Sequence, residues 1–336
     1  MIVALLSVPV GAAASFVAQP DGQNPSNVQA APEPAHSPTL LDSVESLNKM
    51  TVAEMLVEAK QYKLVLLGIA SALVLVVLWL AGAITPGGLA KSGLRDVSAH
   101  RAPMWMFAGV LVFTAMAFAQ TAIERQSWIA NANLNSFQRE AAVYLATYAV
   151  ASVVALGMLV LFSRTASGAG LKFKPGDLFI GLSCIALAYP LIELSATGAV
   201  AAHEWISREP AIVIAHPTLE TIIDNFGDPW VWGLIAAIVL GAPIVEEIVF
   251  RGFLQTAMLR WFGSPWMAIV VAAVPFTALH IKISGEFVPY YSLAPIFVLA
   301  VAMGLAYERT RRIGVPIMMH IAFNALNVFF AIRLVG

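Results

Sequence analysis

The chain has 336 residues, of which 59% are hydrophobic and only 12% charged, and its mean hydropathy is +0.80. A soluble domain carries about twice that share of charge, so a string of soluble domains is excluded. With 19 basic and 20 acidic residues the net charge is −1, which offers nucleic acid no polycationic surface. A single cysteine, Cys184, excludes an intramolecular disulfide framework and any CxxC metal knuckle.

In chain order, residues 1–18 (MIVALLSVPVGAAASFVA) are apolar and end in small residues, as a signal peptide or short signal anchor does. Residues 19–39 are rich in Pro, Ala, Gln and Asn and read as an extracytoplasmic linker. Residues 40–60 have Leu and Val at helical spacing and predict an amphipathic helix leading into the first span. Eight apolar segments follow, near 62–84, 104–123, 141–163, 177–201, 229–257, 265–281, 291–307 and 315–334. Crossing a bilayer takes about 20 residues as helix. Helices are required, because an open strand edge leaves backbone groups unpaired in hydrocarbon. The expected fold is therefore all-α, a polytopic membrane protein with about eight transmembrane helices. We divide it into the leader 1–18, linker and amphipathic helix 19–61, N-terminal membrane helices 62–205, and C-terminal membrane core 206–336.

Every second loop is basic. Lys91, Arg95 and Arg101 follow the first span; Arg164, Lys172 and Lys174 follow the third; Arg260 follows the fifth; Arg309, Arg311 and Arg312 follow the seventh. The loop after span four has only Arg208 against Glu204, Glu209, Glu220, Asp224 and Asp228. The positive-inside rule then puts the basic loops in the cytoplasm and the C-terminus outside. With a signal-like N-terminus, this predicts a plasma (inner) membrane location. The aromatic residues near span ends, Trp230, Trp232, Trp266, Tyr290 and Tyr291, read as interfacial anchors. There is no internal repeat, phosphate loop or dinucleotide fingerprint.

Ionisable groups within a span are costly and are functional candidates by default. The fifth span carries A-P-I-V-E-E-I-V-F-R-G-F, with Glu246, Glu247 and Arg251; the sixth carries F-T-A-L-H, Phe276 to His280; the eighth carries H-I-A-F-N, His320 to Asn324. Glu247 and Arg251 are about one turn apart and can pair, while Glu246 lies about 100° around the helix and is free to point elsewhere. A carboxylate in a low-dielectric cavity that admits water suits general-base chemistry. His320 and Asn324 also share a face, as a pair of oxyanion donors needs to. On straight helices His320 is shallow, Glu246 is at mid-depth and His280 is nearer the outer face, so convergence needs tilt, a shifted start for the sixth span, or a kink at Pro275.

E-E-x-x-x-R, F-x-x-x-H and H-x-x-x-N, each on its own membrane helix, resemble the CPBP family of intramembrane proteases. That family is also called Abi or CAAX-protease-like, and it includes the eukaryotic Ras-converting CAAX endopeptidase. The resemblance lies within residues 243–324. It implies an endopeptidase acting on a membrane-associated protein or peptide, with Glu246 activating water and Glu247 and Arg251 as a structural pair. It further implies that His280 holds the water and that His320 and Asn324 stabilise the oxyanion. Glu246, His280 and His320 are the candidate ligands should a divalent metal such as Zn be used; a metal-free, glutamate-activated water fits the same residues, and the cofactor stays open. In a bacterial membrane, leader or signal-type peptides and bacteriocin-immunity roles fit better than prenylated CAAX peptides.

Other readings use the same residues. A proton- or cation-coupled transporter employs membrane carboxylates and histidines as a relay, and a non-catalytic immunity or scaffold protein binds a partner through the same cavity. A rhomboid-type serine protease has Ser71 as its only candidate nucleophile, without the flanking glycines. Glu193 in Y-P-L-I-E-L reads either as a residue lining the cavity or as a structural carboxylate bonded to Ser195 or Thr197, the second reading being favoured. Cys184 reads as a small core residue, Phe276 as packing on the fifth span, and Asn324 also as an interhelical hydrogen-bond donor.

Overall fold

The structure is a computed structural model that describes residues 52–85, 87–91, 95–126, 129, 133–211, 217–283 and 286–333. The expected leader, the linker and the first part of the amphipathic segment lie outside the described residues. Seven helices among those described are long and apolar enough to cross a membrane, and the chain is a multi-pass membrane protein. The long helices are α1 (Val52–Leu80), α2 (Ala102–Glu124), α3 (Ser136–Thr165) and α4 (Asp177–Ser207). A short α5 (Pro217–Asp224) precedes α6 (Val231–Phe262), α7 (Pro265–Ala278), α8 (Leu293–Thr310) and α9 (Gly314–Arg333).

Local sequence explains several helix starts. Asn135 caps α3 by accepting from the Gln138 amide at 2.8 Å, and the Gln138 side chain accepts from the Asn135 amide, a reciprocal capping box. Proline occupies the first turn of α2 and of α7, where its missing N–H costs nothing. The expected segment 40–60 is continuous with the first span from Val52 onward, so α1 is one helix of 29 residues.

The sixth segment differs from expectation. The span predicted over 265–281 is a helix of only 14 residues, about 21 Å long, against about 30 Å of hydrocarbon. It ends at Ala278, and the chain turns through His280 into a hairpin, Lys282–Ile283 paired antiparallel with Glu286–Phe287. That hairpin is the only β structure among the described residues. His280 stands just beyond the end of α7 and lines one cavity with Glu246 and His320, so the three positions converge.

The basic loops gather at one end of the bundle. Arg309 donates to the carbonyls of Gly82 and Ala83; the Ile313 amide donates to Gly170 O at 2.9 Å and the Asp96 amide to Gly168 O at 3.1 Å. Gly170 has φ +82 with the Arg311 backbone 2.8 Å from where a Cβ would sit, so only glycine fits this crossing. At the opposite end Gln138 donates to Asp228 at 2.7 Å, and His203 meets the Tyr290 hydroxyl at 2.7 Å. Tyr291, expected as an interfacial anchor, is instead buried, with its ring 4.7 Å from that of His203. The core between the ends is apolar and tightly packed, built around Trp105, Phe162, Phe253, Ile248 and Met303.

Candidate active site

α6 carries two π-helical stretches, Ala237–Gly241 and Ile248–Gln255, and the segment between them, Ala242–Glu247, holds both glutamates. Such turns each accommodate an extra residue and re-aim the side chains that follow, and they recur at functional sites. The first is pressed against α3: a Cβ on Gly241 would lie 2.7 Å from Tyr148 Cβ. Small residues of this kind let membrane helices approach closely.

The two glutamates have different environments. Glu247 is fully buried; its Oε1 accepts from Arg251 at 2.9 Å and from His320 Nδ1 at 2.8 Å. The pairing of Glu247 with Arg251 read from their spacing is present. Arg251 also donates to Ala300 O at 3.1 Å, and its guanidinium lies 4.3 Å from the centre of the Phe276 ring. Glu246 points elsewhere: it lines a cavity, and its Oε2 is buried with no hydrogen-bond partner in the protein.

Phe276 is the hub of the site. Its ring lies 5.1 Å from Phe250 on α6, as expected for packing on the fifth span, and also 5.0 Å from His280 and 5.8 Å from His320. His280 Nδ1 lies 2.8 Å from Phe276 O. Nδ1–H therefore donates to this carbonyl, leaving Nε2 as an acceptor. Asn324 donates from Nδ2 to Ile238 O on the first π stretch at 2.9 Å. The interhelical bond read as an alternative role for Asn324 therefore exists, and its second N–H remains available.

Glu246, His280, His320 and Asn324 line one cavity of about 350 Å³. Its walls come from α2 to α9, including Tyr148, Glu193 and Phe250. Ser71 on α1 does not line it. Among the described residues, no group of three or more His, Cys, Asp or Glu is arranged to hold a metal ion. The donor set Glu246, His280 and His320 thus does not fit a metal in this arrangement.

Glu193 requires a correction. Its Oε1 pairs with Lys63 of α1 at 2.8 Å, while Ser195 donates to Ile192 O and Thr197 makes no bond to it. Lys63 was unassigned because it stands at the edge of the first span, where a lysine can also reach the interface. A second buried network was missed. Arg95 makes a two-pronged pair with Glu308 at 3.0 and 2.7 Å and donates to Thr256 and Ala169 O; Gln255 also donates to Glu308 at 2.8 Å. Arg95 counted only as a loop cation, and Glu308 stands one residue beyond the predicted seventh span.

Residues 228–326 match the family described as "Rce1-like: Type II CAAX prenyl endopeptidase Rce1-like". Over 123 residues, 34% of this chain, the sequence is 28% identical to UPF0177 protein YbdI of Lactococcus lactis subsp. lactis. The match spans 62% of that relative's length. No solved structure gives a significant match. The matched segment contains all three motifs and the cavity-lining residues of α6, α7 and α8, and those of α9 up to Asn324. The likeness read from those motifs is matched at the family level: residues 228–326 of this membrane protein are similar to the Rce1-like family.

Proposed function

We propose that this chain is an intramembrane endopeptidase that hydrolyses a peptide bond of a membrane-associated protein or peptide, with Glu246 activating the water. One observation carries the reading. Of two adjacent carboxylates, Glu247 is buried with its Oε1 committed to Arg251 and His320 and does not line the cavity, whereas Glu246 lines the cavity and carries an unpartnered Oε2. A free base beside a clamped one fits one residue for chemistry and its neighbour for orientation.

In the proposed reaction, Glu246 takes a proton from water as the water oxygen bonds to the scissile carbonyl carbon. His280, its Nδ1–H held by Phe276 O, accepts the second water hydrogen at Nε2. His320, with Nδ1 on Glu247, donates from protonated Nε2 to the oxyanion, joined by the free N–H of Asn324. Collapse of the intermediate breaks the C–N bond, and Glu246 returns its proton to the leaving amine. The products are a carboxylic acid and an amine, which pass the remaining water proton between them to end as carboxylate and ammonium, with no net proton taken from the protein. The fit of the basic loops to the positive-inside rule supports a bacterial plasma membrane as its place. Leader or signal-type peptides are then better substrate candidates than prenylated ones, although the matched family description names a CAAX prenyl endopeptidase.

The test compares N- and C-termini of the membrane proteome in cells carrying wild type or Glu246→Gln, matched for abundance and melting temperature. New termini found only with wild type are the expected result. Identical termini overturn the reading in favour of a transporter or a binding scaffold.

A further inference from the structure

Asn327 on α9 is 1% exposed and lines the cavity, yet neither Nδ2 nor Oδ1 has a hydrogen-bond partner in the protein. A buried carboxamide with both ends unmet costs stability, and such groups are rare in folded proteins. Asn324, one turn away, has its partner in Ile238 O. The difference is therefore local to Asn327 and not general to asparagine on this helix. Ser292, in the turn entering α8, is 5% exposed, lines the same cavity, and has an unpartnered Oγ. None of the three motifs includes either residue.

We infer that Asn327, with Ser292, forms a subsite that binds the backbone of an unwound peptide segment, the carboxamide accepting from one peptide N–H and donating to one peptide C=O. Only a ligand offering both a donor and an acceptor in one plane satisfies both ends of a carboxamide, and a peptide backbone does so. A helical segment does not qualify, because its amides are already bonded internally, as hydrocarbon demands. A segment unwound for hydrolysis has lost those bonds, and the cavity wall must replace them. His320, Asn324 and Asn327 stand at i, i+4 and i+7 on one face of α9. Seven residues of helix are about 10 Å, which is about three residues of extended peptide. The bonded amide thus lies about three residues from the scissile bond. Asn327 is here a positioning residue, separate from the reacting groups.

This inference rests on the protease reading, so its test separates binding from turnover. Full-length Glu246→Gln protein in nanodiscs is screened against apolar decapeptides, and the best binder is re-made with each peptide nitrogen methylated in turn. Against the Asn327 protein, methylation at one site about three residues from the mapped cleavage bond weakens binding about tenfold, one hydrogen bond's worth. In an added N327L background overall affinity is lower by about the same factor and that site becomes insensitive. N327L leaves the melting temperature unchanged or raised, because it removes unmet polar atoms at similar volume. S292A gives a smaller loss of affinity. Methylation effects that are equal in both backgrounds, or a melting temperature lowered by N327L, overturn the subsite. Peptides that bind as described to protein which, with Glu246 intact, cleaves none of them leave the subsite standing and sink the protease reading.

Discussion

Two buried polar clusters share this bundle, and they are built on opposite plans. At the basic end, Arg95, Glu308, Gln255 and Thr256 are all bonded to one another, and Tyr307 closes the group by donating to Ala169 O at 2.9 Å. None of these side chains has an unmet buried atom. At the cavity, by contrast, Glu246 and Asn327 retain unmet atoms on its wall, and the neighbouring Glu247 retains one beside it. A fully satisfied network fixes a structure, whereas a partly satisfied one is costly unless something else completes it. The comparison separates polar groups that hold helices from polar groups that await a ligand, although both sets include buried side chains.

Substitutions can break this contrast. The largest effect is expected on activity: Glu246→Gln reduces hydrolysis by about 100- to 10,000-fold while the melting temperature stays within a few degrees of wild type, as scanning calorimetry in detergent would measure. Next comes stability at the closed cluster. Glu308→Gln strands the Arg95 guanidinium and costs about 3–5 kcal/mol. The double variant Arg95→Met with Glu308→Met recovers most of that loss, because an apolar pair needs no compensation. A double variant no more stable than the single one would show that the network does more than cancel its own charges. Arg251→Met is expected to lose both properties together, since it uncovers Glu247 and removes the guanidinium from the Phe276 ring.

Smaller effects sharpen the picture. Gly241→Ala pushes a methyl group against Tyr148 and costs about 1–3 kcal/mol, with a loss of activity from the displaced cavity wall. The smallest is a pH effect at the end opposite the basic loops. The Trp230 amide and the Gln138 side chain bond to Asp228 and hold its carboxyl below the ordinary carboxylate value. A depressed folded value means that its contribution is complete above the unfolded value of about 4 and is lost as pH falls through the folded one. The melting-temperature difference between wild type and Asp228→Asn should therefore shrink on acidification from about pH 6 to about pH 3. A difference that grows on acidification would contradict this assignment.

Much of the site was legible because chemistry in an apolar background is conspicuous. Glu246, Glu247, Arg251, His280, His320 and Asn324 stood out as ionisable or amide groups in uncharged runs, and helical spacing alone paired Glu247 with Arg251. Asn327 carried the same signal, seven residues from His320 on one face, but a neutral amide attracts less notice than a charge. Glu193 was misjudged because its neighbours in sequence were considered, while its partner Lys63 lies 130 residues away on another helix. Arg95 and Glu308 were invisible as a pair for the same reason, being 213 residues apart.

Composition and periodicity by themselves determined that this chain is a bundle of membrane helices. The bilayer leaves a backbone only the helix or the closed barrel to bond its amides, and long apolar runs without a barrel's alternation select the helix from local sequence. The same local information placed the three motifs on three helices. Only the tertiary structure decided that Glu247 is bonded to His320 as well as to Arg251, because His320 arrives from α9, and that Glu246 faces the cavity. It alone decided that the sixth segment ends as a 14-residue helix with His280 in the turn beyond it, and that two π stretches interrupt α6. Those features arise from contacts between segments far apart in the chain, which no residue pattern within one segment encodes.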